Sequence, residues 1–93
     1  MVNLTLVEGK DRGKIVVYAL STCGWCEKTK QFLQEQGLQY YYANVDLTSG
    51  DERKEIMEEI GRWNSRKSFP TIVVKDKIGI VGFNKESLLE AVE

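Results

Sequence analysis

Lys14 to Leu20 (Lys-Ile-Val-Val-Tyr-Ala-Leu) is a continuous apolar run of the length expected for a strand buried on both faces. The run leads directly into Ser21-Thr22-Cys23-Gly24-Trp25-Cys26, which holds both cysteines of the 93-residue chain. A disulfide across two intervening residues closes a very short loop and removes little entropy from the unfolded chain. The pair is a poor staple and a good redox switch.

Ninety-three residues make one domain, expected to span 1–93, with a single modest core. The formal net charge of −1 gives no electrostatic case for a nucleic-acid partner. No apolar run approaches the roughly 20 residues that a membrane helix requires, so no membrane association is expected. Met1 to Glu8 lacks both the basic start and the apolar core of a signal peptide, and a reducing cytoplasm is the expected location. There a C-x-x-C is more often catalytic or metal-binding than structural. Zinc normally takes four ligands. With no histidine and no third cysteine, one chain cannot supply them, and no metal site is expected.

Beyond the cysteines, Glu27 to Gln36 contains helix formers with Thr29, Phe32, Leu33 and Gln36 at helical spacing, and Gly37 stands where a C-terminal glycine belongs. Leu38 to Leu47, rich in tyrosine and valine, predicts a second strand. Ser49 and Glu52 match a capping box before a helix that buries Ile56, Met57, Ile60 and Trp63, with Glu58 and Arg62 as an i,i+4 pair. Thr71 to Val74, a turn at Lys75-Asp76-Lys77, and Ile78 to Phe83 predict a hairpin. Asn84 caps a last helix with Leu88, Leu89 and Val92 turned inward. The order is β-α-β-α-β-β-α, with parallel first strands and an antiparallel hairpin. Residues 1–13 stand outside it, and Asn3 to Val7 predicts an extra edge strand, with a loosely held tail as the alternative.

A strand followed by a C-x-x-C that opens a helix, then a lone proline before a β-hairpin, resembles the thioredoxin superfamily. Within it the chain is most similar to glutaredoxins and glutaredoxin-like proteins. The residues that carry the resemblance are Val17-Tyr18, Cys23-Gly24-Trp25-Cys26, Ser68-Phe69-Pro70-Thr71 and Val81-Gly82-Phe83. It implies a four-stranded mixed sheet flanked by three helices, with Pro70 cis and beside the cysteines. It also implies a substrate or glutathione site built from Thr22, Gly24, Trp25, Arg66, Lys67, Phe69, Pro70, Gly82, Phe83 and Asn84.

Several positions depart from the glutaredoxin pattern. Leu20 replaces the lysine usual three positions before the first cysteine. Gly82-Phe83-Asn84-Lys85 replaces the acidic residues that meet the amino group of glutathione, and more resembles donors of ribonucleotide reductase that thioredoxin reductase reduces. Arg66 and Lys67 fall where glutaredoxins bind the glycine carboxylate, so glutathione and a thioredoxin-reductase-type donor both remain open.

The activity so implied is thiol–disulfide oxidoreduction on disulfide-containing proteins by a monomer, with glutathione or another reducing thiol as electron donor and no tightly bound cofactor. Cys23 is the expected nucleophile, because a thiolate is the reactive species and a helix N-terminus stabilises it. Cys26, one turn on and more buried, is the expected resolving thiol. Some glutaredoxins with a small residue after the first cysteine carry an iron–sulfur cluster between two subunits, an alternative that Gly24 leaves open. Trp25 is expected to be partly exposed. Lys28 and Lys30 read as a solvated helix face, or else as a source of positive field at Cys23. Tyr40, Tyr41, Tyr42 and Trp63 read as core and sheet packing.

Overall fold

The computed structural model describes residues 4–92. A five-stranded sheet forms from β1 (Thr5–Val7), β2 (Ile15–Ala19), β3 (Tyr40–Asn44), β4 (Thr71–Val74) and β5 (Ile78–Val81), in the order β1-β3-β2-β4-β5. Three helices flank it: α1 (Gly24–Glu35), α2 (Gly50–Trp63) and α3 (Lys85–Ala91). β2 pairs parallel with β3 and antiparallel with β4, and β4 and β5 form the hairpin.

All five residues of β2 are buried, and their alternation divides the molecule. Ile15, Val17 and Ala19 face one core with Phe32 and Leu33 of α1 and Leu88 and Ala91 of α3. Val16 and Tyr18 face the other, with Ile56 and Ile60 of α2. Period-two alternation in a strand packed on both sides requires this near-continuous apolar sequence.

The expected extra strand is present: β1 pairs antiparallel with β3, setting Thr5 against Tyr42 and Val7 against Tyr40. Met1 to Asn3 and Glu93 lie outside the described residues. Gly37 (φ 69°) ends α1 in the left-handed region. Leu38 N–H reaches Leu33 C=O at 3.0 Å and Gly37 N–H reaches Gln34 C=O at 2.9 Å, the doubly bonded glycine terminus. Asn84 caps α3 by accepting the Ser87 N–H at 3.0 Å.

The predicted elements are corrected in five places. The strand predicted over Leu38 to Leu47 ends at Asn44, and Val45–Leu47 forms a 3-10 turn. The last strand stops at Val81, because Gly82 (φ 82°) turns the chain toward α3. Ser49 occupies the N-cap of α2, but its side chain makes no capping hydrogen bond. Arg62 pairs with Glu59 at 3.3 Å, an i,i+3 contact, in place of the Glu58 partner predicted for it. Leu89 is exposed, since a helix of seven residues with Leu88 and Ala91 inward turns it outward. Of the aromatics read as packing, Tyr40 is buried, whereas Tyr41, Tyr42 and Trp63 are half-buried. Among the described residues no helix is long and apolar enough to cross a membrane.

The hairpin crosses close to α2: a Cβ placed on Gly79 would lie 2.9 Å from Trp63 Cβ and 3.0 Å from its ring. Gly79→Ala should therefore force the indole aside and disturb its 3.0 Å hydrogen bond to Glu59. A loss of about 1–3 kcal/mol in denaturant unfolding is expected, while Val81→Thr, on an exposed position of the same strand, should be near neutral.

Candidate functional site

Cys23 stands at the end of the loop that leaves β2 and is the N-cap of α1, with extended backbone (φ −94°, ψ 116°). Its Sγ accepts the Cys26 N–H at 3.2 Å. A sulfur thus takes the place of the usual hydroxyl or carboxylate oxygen and satisfies one of the donors left unpaired at a helix start. The turn before it is closed by Cys23 N–H donating to Leu20 C=O at 3.3 Å.

The two cysteines are free thiols in different surroundings. Cys23 is partly exposed, whereas Cys26 is wholly buried against the core of α1 and α3. Burial pushes the Cys26 thiol up from 9.0 to about 12, helped by its hydrogen bond with Cys23. A backbone hydrogen bond at Leu20 and the charge of Lys30 pull the other way.

Strand pairing brings the second motif to the same end of the sheet. Tyr18 lies opposite Thr71, so Pro70 falls beside the end of β2 where the cysteine loop begins. The Phe69–Pro70 peptide is cis and Pro70 is buried. Gly82 N–H donates to Pro70 C=O at 2.9 Å, which draws the turn after β5 toward the loop. Phe83 packs 6.2 Å from the Trp25 ring and 6.0 Å from Phe32. Cys23, Phe69 and Phe83 all rest on the same core cluster.

The remaining predicted residues are more peripheral. Trp25 is 59% exposed, Thr22 and Gly24 are exposed, and a Cβ on Gly24 would meet nothing within 4 Å. Asn84 is exposed and committed to capping α3. Arg66 and Lys67 are exposed on the loop between α2 and β4 and line neither groove beside the cysteine loop. One groove, about 340 Å³, is apolar and lies under Leu20, Val45, Met57 and Phe69, with Asp46 and Arg53 at its margin. The other, about 290 Å³, is lined by Phe32 and Phe83 with Lys28 and Lys85. Lys28 Nζ lies 4.7 Å from the centre of the Trp25 ring. Among the described residues no three His, Cys, Asp or Glu side chains cluster in a way that would hold a metal ion.

Three features of the site had no signal in the sequence. Lys30, read there as part of a solvated face or else as a source of positive field at Cys23, is buried, donates to Asn44 Oδ1 at 3.2 Å and lies 4.2 Å from the centre of the Tyr42 ring. Buried Asn64 places its Nδ2 within 3.1 Å of Ser68 O, Ser68 Oγ and Thr71 Oγ1, holding the loop that carries Phe69 and Pro70. Asp46 reaches across from the 3-10 turn to Ser21, two residues before Cys23. Each pair is separated in sequence by an intervening turn or element, so neither periodicity nor a local motif marks it.

The family model described as Glutaredoxin matches residues 15–78. A glutaredoxin-like 8.6 kDa protein of the rubredoxin operon in Clostridium pasteurianum is 34% identical, over 85% of this chain and 97% of its own. The crystal structure of a glutaredoxin from Methanosarcina mazei Go1 superposes with a TM-score of 0.91 at 40% identity, covering 99% of this chain and 96% of that one. Methanoredoxin from Methanosarcina acetivorans gives 0.86 at 44% identity, covering 90% and 88%. With the family model spanning the sheet from β2 to the start of β5 and both cysteines inside it, this chain belongs to the glutaredoxin family, a family of thiol oxidoreductases.

Proposed function

We propose that the chain reduces disulfides of protein substrates through a Cys23–Cys26 dithiol. The observation that carries this reading is the contrast between a partly exposed sulfur held at the N-terminus of α1 and a wholly buried thiol one turn along. The Cys23 thiolate attacks one sulfur of a substrate disulfide, forms a mixed disulfide and expels the other as a thiolate. Cys26 then gives up its proton and attacks Cys23 Sγ, which releases the second substrate thiol and leaves a Cys23–Cys26 disulfide. Two electrons pass to the substrate, and an external thiol system returns them. The backbone at Phe69, beside Pro70, and the rings of Trp25 and Phe83 serve as the docking surface for the substrate chain.

We infer that the donor is a dithiol system and not glutathione. Leu20 and Phe69 make the groove next to the cysteine loop apolar, and Gly82-Phe83-Asn84-Lys85 lacks the acidic residues that, by the resemblance to glutaredoxins, meet the amino group of glutathione. Oxidised protein should be reduced by a thioredoxin-reductase-type system and stay oxidised with glutathione and its reductase; rapid reduction by the second would overturn this choice. Visible absorbance in an anaerobically purified dimer would instead favour iron–sulfur carriage.

Cys23→Ser should abolish turnover in a disulfide-reduction assay. Cys26→Ser should trap a mixed disulfide that mass spectrometry detects. If Cys23→Ser kept full activity, the nucleophile would be misassigned. In Cys23→Ser the remaining thiol should resist alkylation through neutral pH, since it is wholly buried and that burial, the largest cause of its raised pKa, persists in the variant. Stability has a matching sign: Cys26 keeps its proton in the fold and loses it more readily when unfolded, so its contribution is intact below about pH 9 and is lost between there and about 12.

A further inference from the structure

We propose that Asp46 is a positioning residue for Cys23, clamping the turn from which the nucleophile is presented. The inference rests on the assignment of Cys23 as nucleophile. Both carboxylate oxygens of Asp46 are spent on one residue of that turn: Oδ1 accepts the Ser21 N–H at 2.8 Å and Oδ2 accepts the Ser21 hydroxyl. Ser21 is the second residue of the four-residue turn closed by Cys23 N–H to Leu20 C=O. Asp46 is in turn held from α2, where Arg53 Nη2 donates to the Asp46 carbonyl at 3.0 Å. The clamp therefore joins three separate elements at the point where β2 gives way to α1.

The consequences for the sulfur follow from backbone geometry. Cys23 caps α1 only while its backbone stays extended and Sγ stays within reach of the Cys26 N–H. The turn's own closing bond, at 3.3 Å, is long for an N–H···O contact. Releasing Ser21 would let Thr22 and Cys23 rotate together and move Sγ off the helix axis. Small displacements of a reacting group cost rate steeply. The bonds from Ser21 also hold the Asp46 carboxyl below the usual carboxylate range, so the clamp is ionised at neutral pH. Leu20, on the other side of Ser21, lines the apolar groove with Val45 and Phe69, so the same clamp fixes one wall of the docking surface.

The test measures the rate of alkylation of Cys23 by iodoacetamide at pH 7 in a Cys26→Ser background, with a thermal melt of every variant. Asp46→Ala should slow alkylation by roughly three- to tenfold, because a sulfur moved away from the Cys26 N–H loses the helix-start stabilisation of its reactive thiolate. Asp46→Asn, which keeps an oxygen for the Ser21 N–H, should restore most of it. Arg53→Ala should leave the rate within about twofold, because it removes support for the clamp and not the clamp itself. Should Asp46→Ala fail to fold, Ser21→Ala reads the same contact by deleting the hydroxyl bond alone, and a slower rate is expected. An unchanged rate in Asp46→Ala (or in Ser21→Ala where that variant stands in), or no recovery in Asp46→Asn, would overturn the proposal. Alkylation needs no disulfide substrate, electron donor or resolving thiol, so this result is independent of whether the chain reduces disulfides.

Discussion

Everything about this molecule depends on β2 being buried on both faces. Five consecutive residues without a polar side chain facing solvent oblige the chain to lay α1 and α3 on one side and α2 on the other. Because β2 and β3 are parallel, the connection between them must cross over the sheet, and α1 is that crossover. The loop from β2 into α1 is thereby fixed at the carboxyl end of the parallel strands. This is the edge where α/β sheets place their chemistry. The antiparallel return of β4 brings Pro70 to the same edge, and the hairpin brings Gly82 and Phe83 after it.

Within the loop, one spacing does two things. The N-cap side chain of a helix bonds to the amide three residues on. Cysteines three apart are therefore both a dithiol and a cap: Cys23 accepts from the backbone of Cys26, and Cys26 itself turns inward to the core. The chemical asymmetry of the pair follows from helix geometry with little help from neighbouring charges. Lys30 is the exception. Its buried ammonium, anchored on Asn44 and Tyr42, eases the ionisation of Cys26 that burial opposes.

The surroundings of the site divide sharply in character. On the side of Leu20, Met57 and Phe69 the surface is apolar. On the side of Trp25 and Phe83, an exposed indole and a half-buried phenyl ring have lysine ammonium groups above them, an arrangement that lets aromatic surface face water at reduced cost. Under the proposed function, a substrate chain docking beside Cys23 meets both surfaces, a basis for selectivity absent from the dithiol itself.

The strands, the helices and their order could be read from the residues because each rests on local information. The apolar run of β2, the glycine after α1 and the Asn84 cap declare themselves within a few positions. So do the cysteine spacing and the single proline, and with them the class of chemistry. Where local signals compete with packing, the residues misled: Ser49 has a cap's position without its bond, Arg62 found Glu59, and Lys30 looked solvated but is buried. The sequence alone determined that Cys23 and Cys26 would share a helix start at the end of a buried strand. Only the tertiary structure decided what holds that start in place, since Asp46 and Ser21, Lys30 and Asn44, and Pro70 and Gly82 are distant in the chain and meet solely because the sheet sets its strand ends side by side.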